Sequence, residues 1–147
     1  MLVTAAQIKN LRSQPITLLG PVGSGFSYIV LAAFASLRFG SQLFVSPFGQ
    51  AVCAVAYLGA IPASPVLLSD DFSFLLTAPQ VPNGSNPRTA GDAVQISAIA
   101  PISVPDGLSA RNQLEGAALV LSNNGSSDFT NGDSDLLLTV LYFLMPL

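Results

Sequence analysis

Ser27-Tyr-Ile-Val-Leu-Ala-Ala-Phe-Ala-Ser-Leu-Arg-Phe39 decides how the chain is read. It stands between Gly23 and Gly25 on one side and the turn residues Gly40-Ser41 on the other. Read with a period of two, Ile29, Leu31, Ala33, Ala35, Leu37 and Phe39 share one face. The other face starts apolar with Tyr28, Val30 and Phe34 and turns polar at Ser36 and Arg38. A helix competes, because Ile29, Ala33 and Leu37 also recur at helical spacing. The glycine punctuation, the aromatic residues and the short strand-like segments elsewhere favour a long central strand, one face in the core and the other half-buried.

Outward from this strand, the remaining segments fall into short pieces separated by turn chemistry. Thr4-Ala-Ala-Gln7 has the form of a capping box and predicts a short helix with Ile8 and Leu11 on one side, while Lys9 and Arg12 suit its negative end. Ser13-Gln14-Pro15 stops it, since a residue before proline is driven out of the helical region. Strands are expected at Ile16 to Leu19, Ala51 to Leu58, Val66 to Leu68, Ala117 to Leu121 and Asp135 to Leu144. Alternation predicts two more, through Phe72, Phe74 and Leu76 and through Val94, Ile96 and Ala98. In the last strand Leu136, Leu138, Val140, Tyr142 and Leu144 lie on one side. The Pro-, Asn- and Gly-rich passages near Asn83 and Asn124 are expected to face solvent. In residues 41–50, by contrast, Leu43, Phe44, Val45 and Phe48 are too apolar for a free loop and should pack on something.

About eight strands without intervening helices indicate an all-β fold, a jelly-roll-like β-sandwich with a short N-terminal helix. The expected organisation is an N-terminal helical arm over residues 1–14 and a single β-sandwich domain over residues 15–147.

Composition narrows the function. Half of the 147 residues are hydrophobic and only 9% are charged, against ~25% charged in ordinary soluble domains. Ser, Thr, Asn, Gln, Gly and Pro must cover the surface, or contacts with other chains must hide it. The net charge is −3, and the five basic residues Lys9, Arg12, Arg38, Arg88 and Arg111 are scattered, which argues against nucleic acid as a partner. The chain has no His, the commonest general base and metal ligand at neutral pH. Cys53 stands alone in an apolar run and is expected in the core, so redox compartment is not readable from it. Met1-Leu-Val3 leads into polar residues rather than a signal-type apolar run, and the apolar run around Tyr28 to Leu37 falls well short of the ~20 residues of a spanning helix. No membrane partner is expected.

Candidate sites reduce to structural readings. Gly20-Pro-Val-Gly-Ser-Gly25 lacks the Lys-Ser/Thr of a phosphate loop and precedes a strand, so a tight turn is expected. Asp128, Asn131, Asp133 and Asp135 match no calcium-loop spacing and read as a solvated turn. Asp70-Asp71 with Glu115 or Asp106 could be imagined as paired carboxylates, but nothing in the sequence brings them together. With no His and no Gly-x-Ser-x-Gly elbow, a serine nucleophile has no base. No enzyme, cofactor or metal is expected. Tyr28, Phe34, Phe39, Phe72, Phe74, Tyr142 and Phe143 sit at strand spacing and read as core or subunit interface.

Several short patterns occur in a defined order: Thr4-x-x-x-Ile8-x-x-Leu11, Pro15-Ile-Thr-Leu18, Pro21-x-Gly23-x-Gly25 leading to Tyr28-Ile-Val30, and Gly132-Asp133 ahead of Leu138-Thr-Val-x-Tyr142. Together they resemble a family of small tailed-phage virion structural proteins. The resemblance covers about the first forty residues and the last fifteen. Where the family usually has Lys after the second glycine, this chain has Phe26. The resemblance implies a compact β-sandwich of the particle, a capsid decoration (cement) protein or part of a fibre, often trimeric. It carries no catalytic residues.

The expected function is therefore a non-enzymatic, oligomeric virion protein, assembled in the host cytoplasm, that stabilises the shell by bridging capsid subunits. Its partners would be the major capsid protein or another virion protein, together with further copies of itself, a trimer being favoured. The expected contact residues are Ile8 and Leu11 of the helix and Leu43, Phe44, Val45 and Phe48 of the uncharged loop. A tail-fibre or receptor-binding module is the alternative, with recognition in the polar loops. A small membrane protein of lysis or entry is a third reading, favoured only if the chain needs detergent.

Overall fold

The decisive stretch is a 13-residue strand, Phe26–Arg38, in the computed structural model. The structure describes residues 1–46, 51, 53–58, 66–67, 73–77, 93–98, 115–123 and 125–147. In chain order the elements are β1 (Leu2–Val3), α1 (Ala5–Lys9), β2 (Ile16–Leu19), β3 (Phe26–Arg38), β4 (Phe44–Val45), β5 (Cys53–Leu58) and β6 (Val66–Leu67). They continue with α2 (Ser73–Thr77), β7 (Ala93–Ala98), β8 (Ala118–Asn123), β9 (Thr130–Asn131) and β10 (Asp135–Pro146). The fold is all-β, and every strand pair is antiparallel. One four-stranded sheet runs β1-β10-β3-β7, a second runs β2-β8-β5-β6, and β4 with β9 forms a two-stranded ribbon.

Among the described residues the pairing of β3 with β10 is the longest, from Asp135 opposite Arg38 to Pro146 opposite Phe26. It contains one irregularity. Leu141 pairs with Ala32 and Tyr142 with Val30, so Leu31 is an extra residue, a β-bulge in β3. A single inserted residue exchanges the faces of everything before it. Ala33, Ala35 and Leu37 point into the core as expected, but upstream it is Val30 that continues this face, 3% exposed, while Leu31 is turned out at 47%. The expected face that joined Ile29 and Leu31 to Ala33 is corrected accordingly.

The main core draws on both large sheets: Ala33, Ala35, Leu37, Leu136 and Leu138 from the first, Cys53, Val55 and Leu121 from the second. A smaller cluster joins Val30 to Tyr57, Ala117 and Leu119. Cys53, the one cysteine of the sequence, is buried, as its apolar setting suggested.

The N-terminal residues are built into this core. Thr4 caps α1, its Oγ1 accepting from the Gln7 N–H while the Gln7 side chain accepts from the Thr4 N–H, the expected capping box. The Asp135 carboxylate accepts the Ala5 N–H at 3.0 Å, and Lys9 Nζ donates to the Gly132 carbonyl at 3.2 Å. Ile8 and Leu11 are fully buried among core side chains. Residues 1–14 are therefore no free arm: β1 lies at the edge of the first sheet and α1 closes the core beneath it.

The passage near Asn83, Asn124 and Phe72 all lie outside the described residues. Where a strand is expected through Phe74 and Leu76, the structure has the helical turn α2. Leu75 and Leu76, adjacent in sequence, are both fully buried, whereas a strand would send them to opposite faces. The sequence places Asp70-Asp71 just ahead of this turn, a helix-start composition that the alternation of apolar residues obscured.

Between β9 and β10, Asn131 and Gly132 adopt consecutive left-handed conformations, φ 55° and 67°. A Cβ on Gly132 would run into the ring of Phe44. Gly132→Ala is expected to lower unfolding stability by about 1–3 kcal/mol, measured by denaturant titration, with Gly20→Ala, where a Cβ meets nothing, close to neutral.

Candidate interaction surface

The loop after β3 is held by carboxylate and hydroxyl acceptors from the turn before β10. Asp133 Oδ1 accepts the N–H groups of Ser41 and Gln42 at 2.8 and 2.9 Å, and its Oδ2 accepts the Ser41 hydroxyl at 2.5 Å. Ser134 Oγ accepts the Gly40 N–H at 3.0 Å. These bonds to the ionised form hold the Asp133 carboxyl below the ordinary Asp value, the Ser41 hydroxyl contributing most. With the loop fixed, Phe44 turns inward and meets Phe129 edge to face at 6.3 Å.

The residues expected to form contacts divide accordingly. Ile8, Leu11 and Phe44 are consumed by the chain's own core, no more than 1% exposed, and offer no surface. Their burial follows from α1 and β4 closing the space beside the first sheet. Leu43 is half-buried, Val45 is exposed at 45%, and Phe48 lies outside the described residues.

Of the residues expected in a solvated turn, Asn131 and Asp133 are exposed, while Asp128 Oδ1 is buried without a hydrogen-bond partner among the described residues, and two of the carboxylates act as structural acceptors. Asp133 serves the 41–42 turn and Asp135 the start of α1, so they work on different segments. Glu115 accepts the Ser24 hydroxyl at 2.8 Å and the Gly25 N–H at 2.6 Å. The glycine-rich connection before β3 thus directs donors at a carboxylate of its own chain. Asp70, Asp71 and Asp106 lie outside the described residues. Among the described residues, no group of three His, Cys, Asp or Glu is arranged to hold a metal ion, and no helix is long and apolar enough to cross a membrane.

Among the described residues, exposed large apolar side chains gather on the far half of the β3–β10 pair. Phe26 and Leu31 of β3 and Leu141, Tyr142, Phe143 and Leu144 of β10 are between 41% and 50% exposed. Sequence reading assigned Tyr142 and Phe143 to core or subunit interface, and the structure puts both at the surface of the chain. The alternation in β10 continues, but the second sheet no longer covers it. No charged side chain occurs in residues 26–37 or 136–147.

This half of the pair is well anchored. Tyr28 packs edge to face on Tyr142 with centroids 5.4 Å apart, and its hydroxyl donates to the Gly20 carbonyl at 2.8 Å. Tyr57 reaches from β5 across to β3, its hydroxyl donating to the Tyr28 carbonyl. Gly116 N–H donates to Phe26 O at 2.9 Å, and Leu147 N–H to Gly25 O at 2.8 Å. The apolar ribbon is therefore a fixed surface.

Comparison with known proteins adds no relative: no protein-family model matches the chain, and no curated protein and no solved structure does so either.

Burial raises the Tyr57 phenol above its ordinary value of 10.0, with the Ser27 hydroxyl partly offsetting it. An acid whose folded pKa is raised contributes stability that is complete below its unfolded value and lost as pH rises through the folded one. Tyr57→Phe should lower stability at pH 7 by roughly 0.5–1.5 kcal/mol for the lost hydrogen bond. It should also flatten the alkaline decline of the melting temperature above about pH 10. Asp133 has the opposite sign: its support of the loop is present above the unfolded Asp value and lost as pH falls through the depressed one. Asp133→Asn should therefore reduce the acid sensitivity of hydrogen exchange at Ser41 and Gln42 as pH falls below the ordinary Asp value of 3.8.

Proposed function

We propose that this chain is a non-enzymatic structural protein of a tailed-phage particle, an oligomeric decoration protein that stabilises the capsid by bridging neighbouring subunits. The observation that carries the reading is the fixed, uncharged apolar ribbon on β3 and β10. Hiding such surface across subunit boundaries contributes roughly 25 cal/mol per Å2 of apolar area before association costs. A shell offers many identical boundaries on which to do so.

The wiring of the sheets supports a jelly-roll-like β-sandwich. With the two-residue strands β4 and β9 set aside, the eight remaining strands can be counted in chain order. On that count the first sheet runs 1-8-3-6 and the second 2-7-4-5. Strands that alternate between two sheets in this way form a pair of interlocked Greek keys, an architecture used by viral capsid domains among others. Since fold alone does not assign function, the wiring supports the reading and the apolar ribbon carries it. The sequence patterns shared with small virion proteins point the same way.

The test is placement on particles. Gold-labelled antibody against residues 83–88 is expected to decorate the whole shell in electron micrographs. Particles lacking the protein should open at a lower temperature and recover when purified protein is added back. Label confined to the tail would move the role to attachment, and absence of label from intact particles would end the virion reading.

A further inference from the structure

The first sheet has an edge that its pairing leaves open. β1 covers β10 only at Leu136 and Leu137, with a last bridge at Leu138, whose N–H donates to Met1 O at 2.9 Å and whose carbonyl accepts from Met1 N at 2.7 Å. Beyond Leu138, among the described residues, no strand lies on that side of β10. Because backbone groups alternate along an antiparallel strand and Leu138 directs its own outward, Val140, Tyr142 and Leu144 do so too. Leu141 and Phe143 direct theirs at β3. The bulge lies in β3, so this alternation is not interrupted in β10.

Natural sheet edges usually carry a charge, a proline or a covering segment that discourages pairing with another chain. Here Thr139-Val-Leu-Tyr-Phe-Leu-Met145 has no charge, and Pro146 comes only at its end. We propose that this edge pairs antiparallel with the same edge of a second copy, about a two-fold axis at Phe143. Phe143 then faces its counterpart, Tyr142 faces Leu144 of the other copy, and the second copy's strand ends where β1 begins, opposite Leu138. The two first sheets become one continuous sheet.

A second copy fits for three reasons. The edge is self-complementary under a two-fold axis, because residues equally spaced from Phe143 present the same groups to the second copy. It has no charge to repel its own image. The area suits a weak contact: Leu141, Tyr142, Phe143 and Leu144 are 44–50% exposed. At half of the ~150–250 Å2 that large side chains bury, they offer at most about 400 Å2 per copy, or ~800 Å2 for the pair before backbone is counted. This lies below the ~1,000 Å2 that a stable interface clears, so the dimer is weak and reversible. The contact deepens the oligomeric part of the proposed function. It is two-fold, in contrast to the trimer that the family resemblance implies.

The test uses the purified full chain without particles, so that its failure and failure of the virion reading remain distinguishable. Sedimentation equilibrium should show a monomer–dimer equilibrium. Leu144→Pro removes an outward N–H while leaving the bonds to β3, a substitution edge strands tolerate, and should raise the dimer Kd about tenfold or more, since the loss occurs twice per dimer. Phe143→Cys in a Cys53→Ala background supplies an independent readout. Opposed residues of a non-hydrogen-bonded pair stand ~4.5 Å apart at Cα, within disulfide reach, so mild oxidant should yield a covalent dimer. A monomer at every concentration, unchanged dimer affinity in a folded Leu144→Pro protein, absence of the crosslink, or open-ended aggregates without a dimer plateau would each overturn the proposal. So would a monomer that instead floats with phosphatidylcholine vesicles.

Discussion

The pairing of β3 with β10 is the constraint on which the rest of the structure depends. These strands join the start and end of the described fold: β1 docks on the outer side of β10 and β7 on the outer side of β3. Over Ala33 to Arg38 the strand lies between two neighbours and supplies the small residues Ala33 and Ala35 to the inner face. Small side chains there let Ile8, Leu11 and the second sheet's Val55 and Leu121 fill the same interior. α1 is held from the same strand pair, its first N–H by Asp135 at the beginning of β10.

The bulge at Leu31 divides this pair into two functional halves. Below it, β7 and β1 flank the pair, and the core is closed. Above it, β7 no longer pairs with β3, and β1 no longer pairs with β10. The face carrying Val30 still meets Tyr57 and Leu119, while Leu31, Leu141 and Phe143 are left outside. By displacing the alternation by one residue, the bulge keeps Val30 in the interior and turns out a larger Leu. Without that shift the exposed ribbon would have a different composition on each face.

Much of the architecture was legible because its signals are local. The Thr4 to Gln7 cap, the proline stop at Pro15, the strand Ile16 to Leu19 and both long strands follow from capping chemistry, proline geometry and period-two alternation. What was missed depends on tertiary context. No residue in Tyr28-Ile-Val-Leu-Ala announces a bulge, since every position is apolar and either phase of alternation looks acceptable. The five residues of α2 are too short for period two and period 3.6 to separate. Ile8, Leu11 and Phe44 were read as contacts because their segments are apolar, and sequence alone does not show whether an apolar loop meets its own core or another chain. One available signal was passed over: Asn131-Gly132 is the dipeptide that most favours consecutive left-handed residues, and it marks a sharp reversal inside the solvated turn expected around Asp128 to Asp135.

The scarcity of charge and the exposed ribbon have a common physical consequence. A half-exposed aromatic leaves about 100 Å2 of apolar surface in water, ~2.5 kcal/mol that burial would recover. Most soluble proteins place Lys or Glu beside such an edge, and one charge facing its own image across a two-fold axis is enough to weaken self-association. Neither long strand carries a charge on this half, and Tyr28, Tyr57 and Leu147 hold the ribbon in a single arrangement, so little conformational entropy remains to be lost when it is covered. A fixed apolar edge without repulsive groups is suited to many weak, repeated contacts. On that ground the sparse charge of the whole chain and the geometry of one strand pair both support the proposed role in an assembly.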